Sequence, residues 1–220
     1  MESGGEKRRK REIGLFDFDG TLVEGDSFIR FGIFAVGKAK FYTSVARATP
    51  WLIGWKTGMM SSSRAKEKLF GFLFKGMTKR EFEDKGKLFV SEITKMLRPE
   101  IYQELIRLRD AGREVVIASA SVEEWIRPWA KTQGVDCVIG TQVEVDGEGR
   151  LTGRFSTPNC LGKEKAMRVR EYLRKKLLDG KLETLLGNEE DDLKDFEISA
   201  WGNLPDDKWM LEMADHPHQV

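Results

Sequence analysis

Short apolar runs alternate with segments of helical periodicity along most of this chain. Ile13 to Phe18, Val115 to Ala118, Cys137 to Gly140 and Phe196 to Trp201 read as strands of the kind that parallel sheets bury on both faces. Between the first two, Ile101, Leu105 and Leu108 recur at helical spacing. Pro99 suits the first turn of that helix and Gly112 its end. Ser121 and Glu124 have the spacing of a capping box for a helix running to about Gly134, with a bend at Pro128. Val143, Val145, Leu151, Gly153 and Phe155 alternate around Asp146-Gly147-Glu148-Gly149, which reads as a hairpin. Gly162 to about Leu178 and Asp206 to Ala214 read as helices. Strands alternating with helices predict an α/β fold with a Rossmann-like parallel sheet.

Residues 26–98 break this alternation. They read as helical, with turn signals at Gly37, Thr49-Pro50, Gly58 to Ser63 and Gly76-Met77-Thr78. The expectation is an all-helical insertion over 26–98, a core built from 12–25 and 99–220, and a basic, disordered lead over 1–11. Residues 179–195 are charged and irregular and read as a loop with a short helix.

A length of 220 residues suits one domain with a sizeable insertion. The formal charge is +1, but its distribution is uneven. Residues 7–11 read Lys-Arg-Arg-Lys-Arg, and between Asp26 and Glu67 there are seven basic residues and no acid. Two cysteines, Cys137 and Cys160, fit neither a disulfide framework nor a zinc site, so two free buried thiols are expected. No apolar stretch resembles a signal peptide or a membrane span, which makes a cytoplasmic location the default expectation.

The chemistry begins at Phe16-Asp17-Phe18-Asp19-Gly20-Thr21-Leu22. Residues i and i+2 of a strand point the same way, so both carboxylates enter one small volume. Like charges that close raise each other's pKa unless a cation lies between them. A divalent metal resolves the conflict and suggests phosphate chemistry. A solvated acidic turn is the plain alternative. Matching parts downstream favour the metal. Open parallel sheets bind ligands at the carboxyl ends of their strands, where Ser119, Gly202-Asn203 and Asp207 would lie, with Lys165 in the first turn of a nearby helix. Ser119 reads equally as a helix-entry residue, and Lys163 competes with Lys165. Gly187 to Asp192 imitates the stretch at Gly202 but follows no strand, so it reads as a solvated acidic loop.

This order of motifs resembles the haloacid dehalogenase superfamily of aspartate-nucleophile phosphohydrolases. It is most similar to the branch containing phosphoserine phosphatase and the bacterial phosphatidylglycerophosphatase of that fold. Asp17 to Leu22 resembles its first motif, Val115 to Ser121 the second, Asn159-Cys160-Leu161-Gly162-Lys163-Glu164-Lys165 the third and Gly202-Asn203-Leu204-Pro205-Asp206-Asp207 the fourth. The resemblance implies that Asp17 attacks phosphorus and that Asp19 serves as acid and base. It implies magnesium held by Asp17, Asp19 through its backbone, and Asn203. It assigns Ser119, Lys165 and Gly20 to the phosphate, and Asp207 to orienting a metal water or Lys165. The family usually has Asp at the place of Asn203, so weaker metal binding is expected. It usually continues with a further strand after the last helix, so an incomplete sheet edge is expected here.

By the same resemblance, residues 26–98 take the place of a helical cap that closes over the site and reads the substrate. Asp26 would meet a substrate amine and Lys68 a substrate carboxylate, although lysine lacks the bidentate grip of arginine. The aromatics Phe28, Phe31, Phe34, Phe41, Tyr42, Trp51 and Trp55 lie among unopposed cations. They read as an ordinary bundle core or as a surface for anionic membrane. The functional expectation is a magnesium-dependent phosphomonoester hydrolase acting on a small phosphorylated metabolite through an aspartyl-phosphate. Its alternatives are a lipid-phosphate phosphatase, a phosphoserine phosphatase, a phosphotransferase to another alcohol, and a weakly active or non-catalytic member of the fold. No nucleic acid is expected as a partner.

Overall fold

A computed structural model describes residues 10–178 and 193–220. The acidic stretch Gly187 to Asp192 and residues 1–9 of the basic lead lie outside the described residues. The core strands are β1 (Arg11–Phe16), β2 (Glu114–Val122), β3 (Cys137–Thr141), β6 (Phe196–Gly202) and β7 (His216–Gln219). They form one sheet in the order β3-β2-β1-β6-β7, with every neighbouring pair parallel. Two short strands, β4 (Val143–Val145) and β5 (Leu151–Phe155), pair antiparallel as the expected hairpin. The expectation of an incomplete sheet edge is corrected: β7 pairs with β6 from Ser199–His216 to Gly202–Gln219. The sequence His216-Pro217-His218-Gln219 is polar and exposed, so it gives no apolar signal for a strand.

Period-two alternation places Phe16, Val115, Ile117 and Trp201 in one apolar cluster and Ile13, Leu15, Val116, Ala118, Ile198 and Ala200 in the other. Helices α6 (Pro99–Asp110) and α7 (Glu123–Thr132) contribute to the first cluster, and α8 (Lys163–Leu178) and α9 (Lys208–Glu212) to the second.

Five helices lie between β1 and α6: α1 (Ser27–Val36), α2 (Lys38–Lys56), α3 (Ser62–Phe74), α4 (Lys79–Leu88) and α5 (Val90–Met96). Their centre is aromatic. Phe31 packs against Phe74, Phe82, Phe89 and Trp125 with ring centroids 4.6–5.8 Å apart. Emptying such a site costs about 3–5 kcal/mol. Because Trp125 belongs to α7, this aromatic core joins the insert to the sheet domain. The chain enters and leaves the insert side by side. Glu24 N–H donates to the Met96 carbonyl at 2.7 Å and Arg98 N–H to that of Leu22 at 2.9 Å. The aromatics divide between the two roles considered for them: Phe28, Phe31 and Phe41 are buried, whereas Phe34, Tyr42 and Trp55 are exposed.

Candidate active site

The carboxyl ends of β1, β2 and β6 open into a hollow of about 460 Å³ between the sheet and the helical insert. Asp17, Asp19, Gly20, Ser119, Lys165, Asn203 and Asp207 all line it, so these expected site residues meet in one place. Asp17 directly follows β1. Its N–H donates to the Trp201 carbonyl at 2.9 Å, which prolongs the β1–β6 ladder and fixes the backbone from which its side chain projects.

Lys165 is almost completely buried and its ammonium lies 2.6 Å from Oδ1 of Asp17. It also bonds Asp207. Burial opposes charge on Lys165, but the Asp17 and Asp207 carboxylates outweigh it and push its pKa upward. Burial, then the charge of Asp17, push Asp207 up to about 6. Asp207 also accepts the Asn203 N–H at 2.9 Å and so ties the turn after β6 together. Gly202 is required there, since a Cβ would lie 2.7 Å from the Asp207 Cβ. The competing Lys163 instead lies 5.6 Å from the ring centroid of Trp209.

Asp19 is held on both oxygens. Oδ1 accepts the Ser27 N–H at 2.7 Å, and Oδ2 accepts the Ser121 hydroxyl. Burial, then the Asp26 carboxylate, push its pKa up to about 6. Ser119 is buried and its Oγ accepts the Ser121 N–H at 3.0 Å, which leaves its own proton to be donated. Gly20 stands at φ +79°, with the Asn203 amide 2.7 Å from where a Cβ would be. Its N–H is engaged by the Val23 carbonyl at 2.9 Å, so Gly20 supplies room rather than a free donor to phosphate.

Several expectations are corrected. Ser121 and Glu124 form no capping box, because β2 continues through Val122 and α7 starts at Glu123 without a side-chain cap. The Ser121 hydroxyl turns to Asp19, and Glu124 keeps one buried carboxylate oxygen without a partner. Lys68 is exposed and does not line the hollow; Lys66, one α3 position pair earlier, does. The Lys66 ammonium donates to the Ala120 carbonyl at 3.1 Å and lies 5.2 Å from the Phe28 ring centroid, and burial lowers its pKa. Asp26 stands at the rim, where its carboxylate caps α1 by accepting the N–H groups of Phe28 at 2.8 Å and Ile29 at 3.3 Å. Sequence reasoning missed Lys66, Ser27 and the role of Ser121. The acid-free stretch over 27–66, with its seven scattered cations, was the available sign of Lys66.

The oxygens available to a cation are the Asp17 carboxylate, the Asp19 carbonyl and the Asn203 amide. The Asn203 amide nitrogen lies 3.2 Å from the Asp19 carbonyl oxygen. Turned end for end, the amide would set two oxygens together, an arrangement that a cation between them stabilises. An all-oxygen set with few protein ligands fits magnesium. Among the described residues no three His, Cys, Asp or Glu side chains cluster as a metal site.

Residues 15–195 match the family model of haloacid dehalogenase-like hydrolase. The protein CicA of Caulobacter vibrioides is 32% identical over 170 residues, which cover 76% of this chain and 75% of CicA. A Bordetella pertussis protein of unknown function superposes with a TM-score of 0.72 at 23% identity, covering 92% of this chain and 86% of its own. A substrate-bound phosphoserine phosphatase superposes with a TM-score of 0.56 at 17% identity, covering 95% of this chain and 84% of its own.

Proposed function

Because the chain belongs to the haloacid dehalogenase-like hydrolases, we propose that it is a phosphatase that hydrolyses a small phosphomonoester through an aspartyl-phosphate on Asp17. The observation that carries this reading is the buried Asp17–Lys165–Asp207 array at the strand ends, with the Asp19 carboxylate facing the same hollow.

In the first step an Asp17 oxygen bonds to phosphorus as the ester P–O bond breaks, and the protonated Asp19 gives its proton to the departing alkoxide. In the second, a water oxygen bonds to phosphorus, its proton passes to Asp19, and the bond from phosphorus to Asp17 breaks. The products are an alcohol and inorganic phosphate. Lys165 offsets negative charge on the Asp17 carboxylate and on the phosphoryl oxygens. Ser119 is placed to donate its hydroxyl to one of them. Asp207 holds Lys165 in place. Magnesium would be held by Asp17, the Asp19 carbonyl and Asn203, and would supply charge stabilisation to the phosphoryl group.

A second reading concerns the alcohol. Phe28, Ile29, Leu52, Trp55 and Leu69 line the insert side of the hollow. The exposed side chains Ile53 and Met59 flank Trp55 in sequence, and no acid lies between Asp26 and Glu67. These features favour a lipid phosphate met at an anionic membrane surface. A serine phosphate is supported less, since Asp26 is engaged as a helix cap and Lys68 points to no part of the hollow.

The test is release of inorganic phosphate from a panel of phosphorylated metabolites and lipids, with and without magnesium. Turnover of at least one ester, dependent on magnesium and lost in Asp17→Asn with the fold retained by circular dichroism, is expected. Unchanged turnover in that variant would overturn the assignment.

A further inference from the structure

A buried line of hydrogen bonds ends on Asp19. The Trp125 indole N–H donates to Ser27 Oγ at 3.1 Å, Ser27 Oγ donates to Ser121 Oγ at 3.1 Å, and Ser121 Oγ donates to Asp19 Oδ2. The three residues come from α7, α1 and β2, and all are fully buried. The direction of the line follows from its ends. An indole nitrogen only donates and an ionised carboxylate only accepts. The single proton of Ser121 is committed to Asp19, so Ser27 must supply the one between the two hydroxyls. Ser27 grips Asp19 a second time, through its N–H on Oδ1 at 2.7 Å.

From this geometry we infer that Ser121, Ser27 and Trp125 are positioning residues for Asp19: they fix the plane of its carboxyl group so that a proton can pass to the leaving oxygen. Two hydroxyls and an indole N–H are costly to bury together unless each is satisfied. With Asp19 ionised each is satisfied and the line points at its carboxylate. The proton that Asp19 carries as an acid lies off this line, since Oδ2 accepts from Ser121 and Oδ1 from the Ser27 N–H. Ser27 opens the first helix of the insert, so the acid is oriented only while the insert lies on the core as it does in this structure.

The inference rests on the acid–base role proposed for Asp19, and leaving-group dependence separates the two. A nitrophenolate departs from phosphorus without a proton, whereas a simple alkoxide needs one. The ratio kcat/KM reports the steps through formation of the aspartyl-phosphate, so the later hydrolysis does not mask the difference. The measurement is kcat/KM at saturating magnesium for p-nitrophenyl phosphate and for an alkyl phosphate, in the wild type, Ser121→Ala, Trp125→Phe and Asp17→Asn.

Ser121→Ala should lower kcat/KM for the alkyl ester by about 100-fold and for the nitrophenyl ester by less than about 3-fold, in line with the usual contribution of a positioned general acid. Trp125→Phe leaves an aromatic ring to face Phe31 but removes the N–H together with the bulk of the five-membered ring. A general packing loss would lower both esters alike, whereas loss of the N–H alone lowers the alkyl ester selectively. This variant should show the same selectivity at about 5-fold to 10-fold. Should Ser121→Ala fail to fold, Trp125→Phe carries the test alone. An equal loss on both esters, or no loss on either, would overturn the positioning role. Wild-type-like turnover of both esters by Asp17→Asn would instead remove the reading on which it rests.

Discussion

The ammonium of Lys165 lies 2.6 Å from Oδ1 of Asp17, with less than a tenth of either side chain exposed. Two carboxylates, Asp17 and Asp207, share that single cation. The array therefore carries a net negative charge in a place with little water, and each partner depends on the others. The same property suits Asp17 to a second cation, which an anionic phosphate would also require, since Lys165 alone cannot neutralise both carboxylates and the phosphate.

Removing the shared cation should damage both folding and chemistry. Lys165→Met leaves two buried carboxylates facing each other. It should lose about 3–5 kcal/mol of stability, measured by urea unfolding, together with all turnover. Adding Asp207→Asn should return part of the stability and none of the activity. Full stability in the single variant would show that water reaches the array.

Asn203→Asp should lower the magnesium concentration needed for half-maximal activity, because a charged ligand replaces a neutral one. Without the ion, the new carboxylate would face the Asp19 carbonyl that now accepts the Asn203 amide. The variant should therefore melt at a lower temperature in chelator and recover on adding magnesium. A half-saturation point equal to the wild type's would mean that Asn203 is no ligand.

Burial, aided by Glu123, raises the Glu124 carboxyl from 4.5 to about 7, and its Oε2 has no partner. The folded state then holds a proton that the unfolded chain releases, so this group lowers stability as pH rises from about 4.5 to about 7. Glu124→Gln should match the wild type at pH 4 and exceed it by about 2 kcal/mol at pH 8. Equal unfolding curves at pH 8 would mean that the carboxylate is solvated there.

The lipid reading predicts charge-dependent membrane contact. Wild-type protein should float with phosphatidylglycerol vesicles and not with phosphatidylcholine vesicles, and Lys56→Glu with Met59→Ser should abolish flotation while preserving turnover of a soluble aryl phosphate. Indifference to vesicle charge would leave the exposed aromatics of the insert as ordinary surface residues.

The sheet and the helical insertion were legible because each rests on a local pattern, whereas Ser119, Lys165 and Asn203 were singled out by the resemblance of the whole motif order. Buried strands declare themselves by apolar runs, and Asp17 and Asp19 by sitting at the end of one. What escaped depends on distant partners. Ser121 has the spacing of a cap from Glu124, yet β2 runs past it and delivers its hydroxyl to a residue 102 positions away. Lys66 and Lys68 are equivalent in composition. Only the rotation of α3 against the core turns one to the Ala120 carbonyl and leaves the other in solvent. The strand β7 is held by backbone pairing to β6, with no apolar alternation to announce it.

The paired crossing at Leu22–Glu24 and Met96–Arg98 gives the helical insert two adjacent stems. Its removal would leave ends already in register, so a short turn could bridge them without disturbing the order of core strands. Any insert put in its place would have to restore the two contacts that Ser27 makes toward Asp19, so a change on the insert side of the hollow is felt at that carboxylate as well.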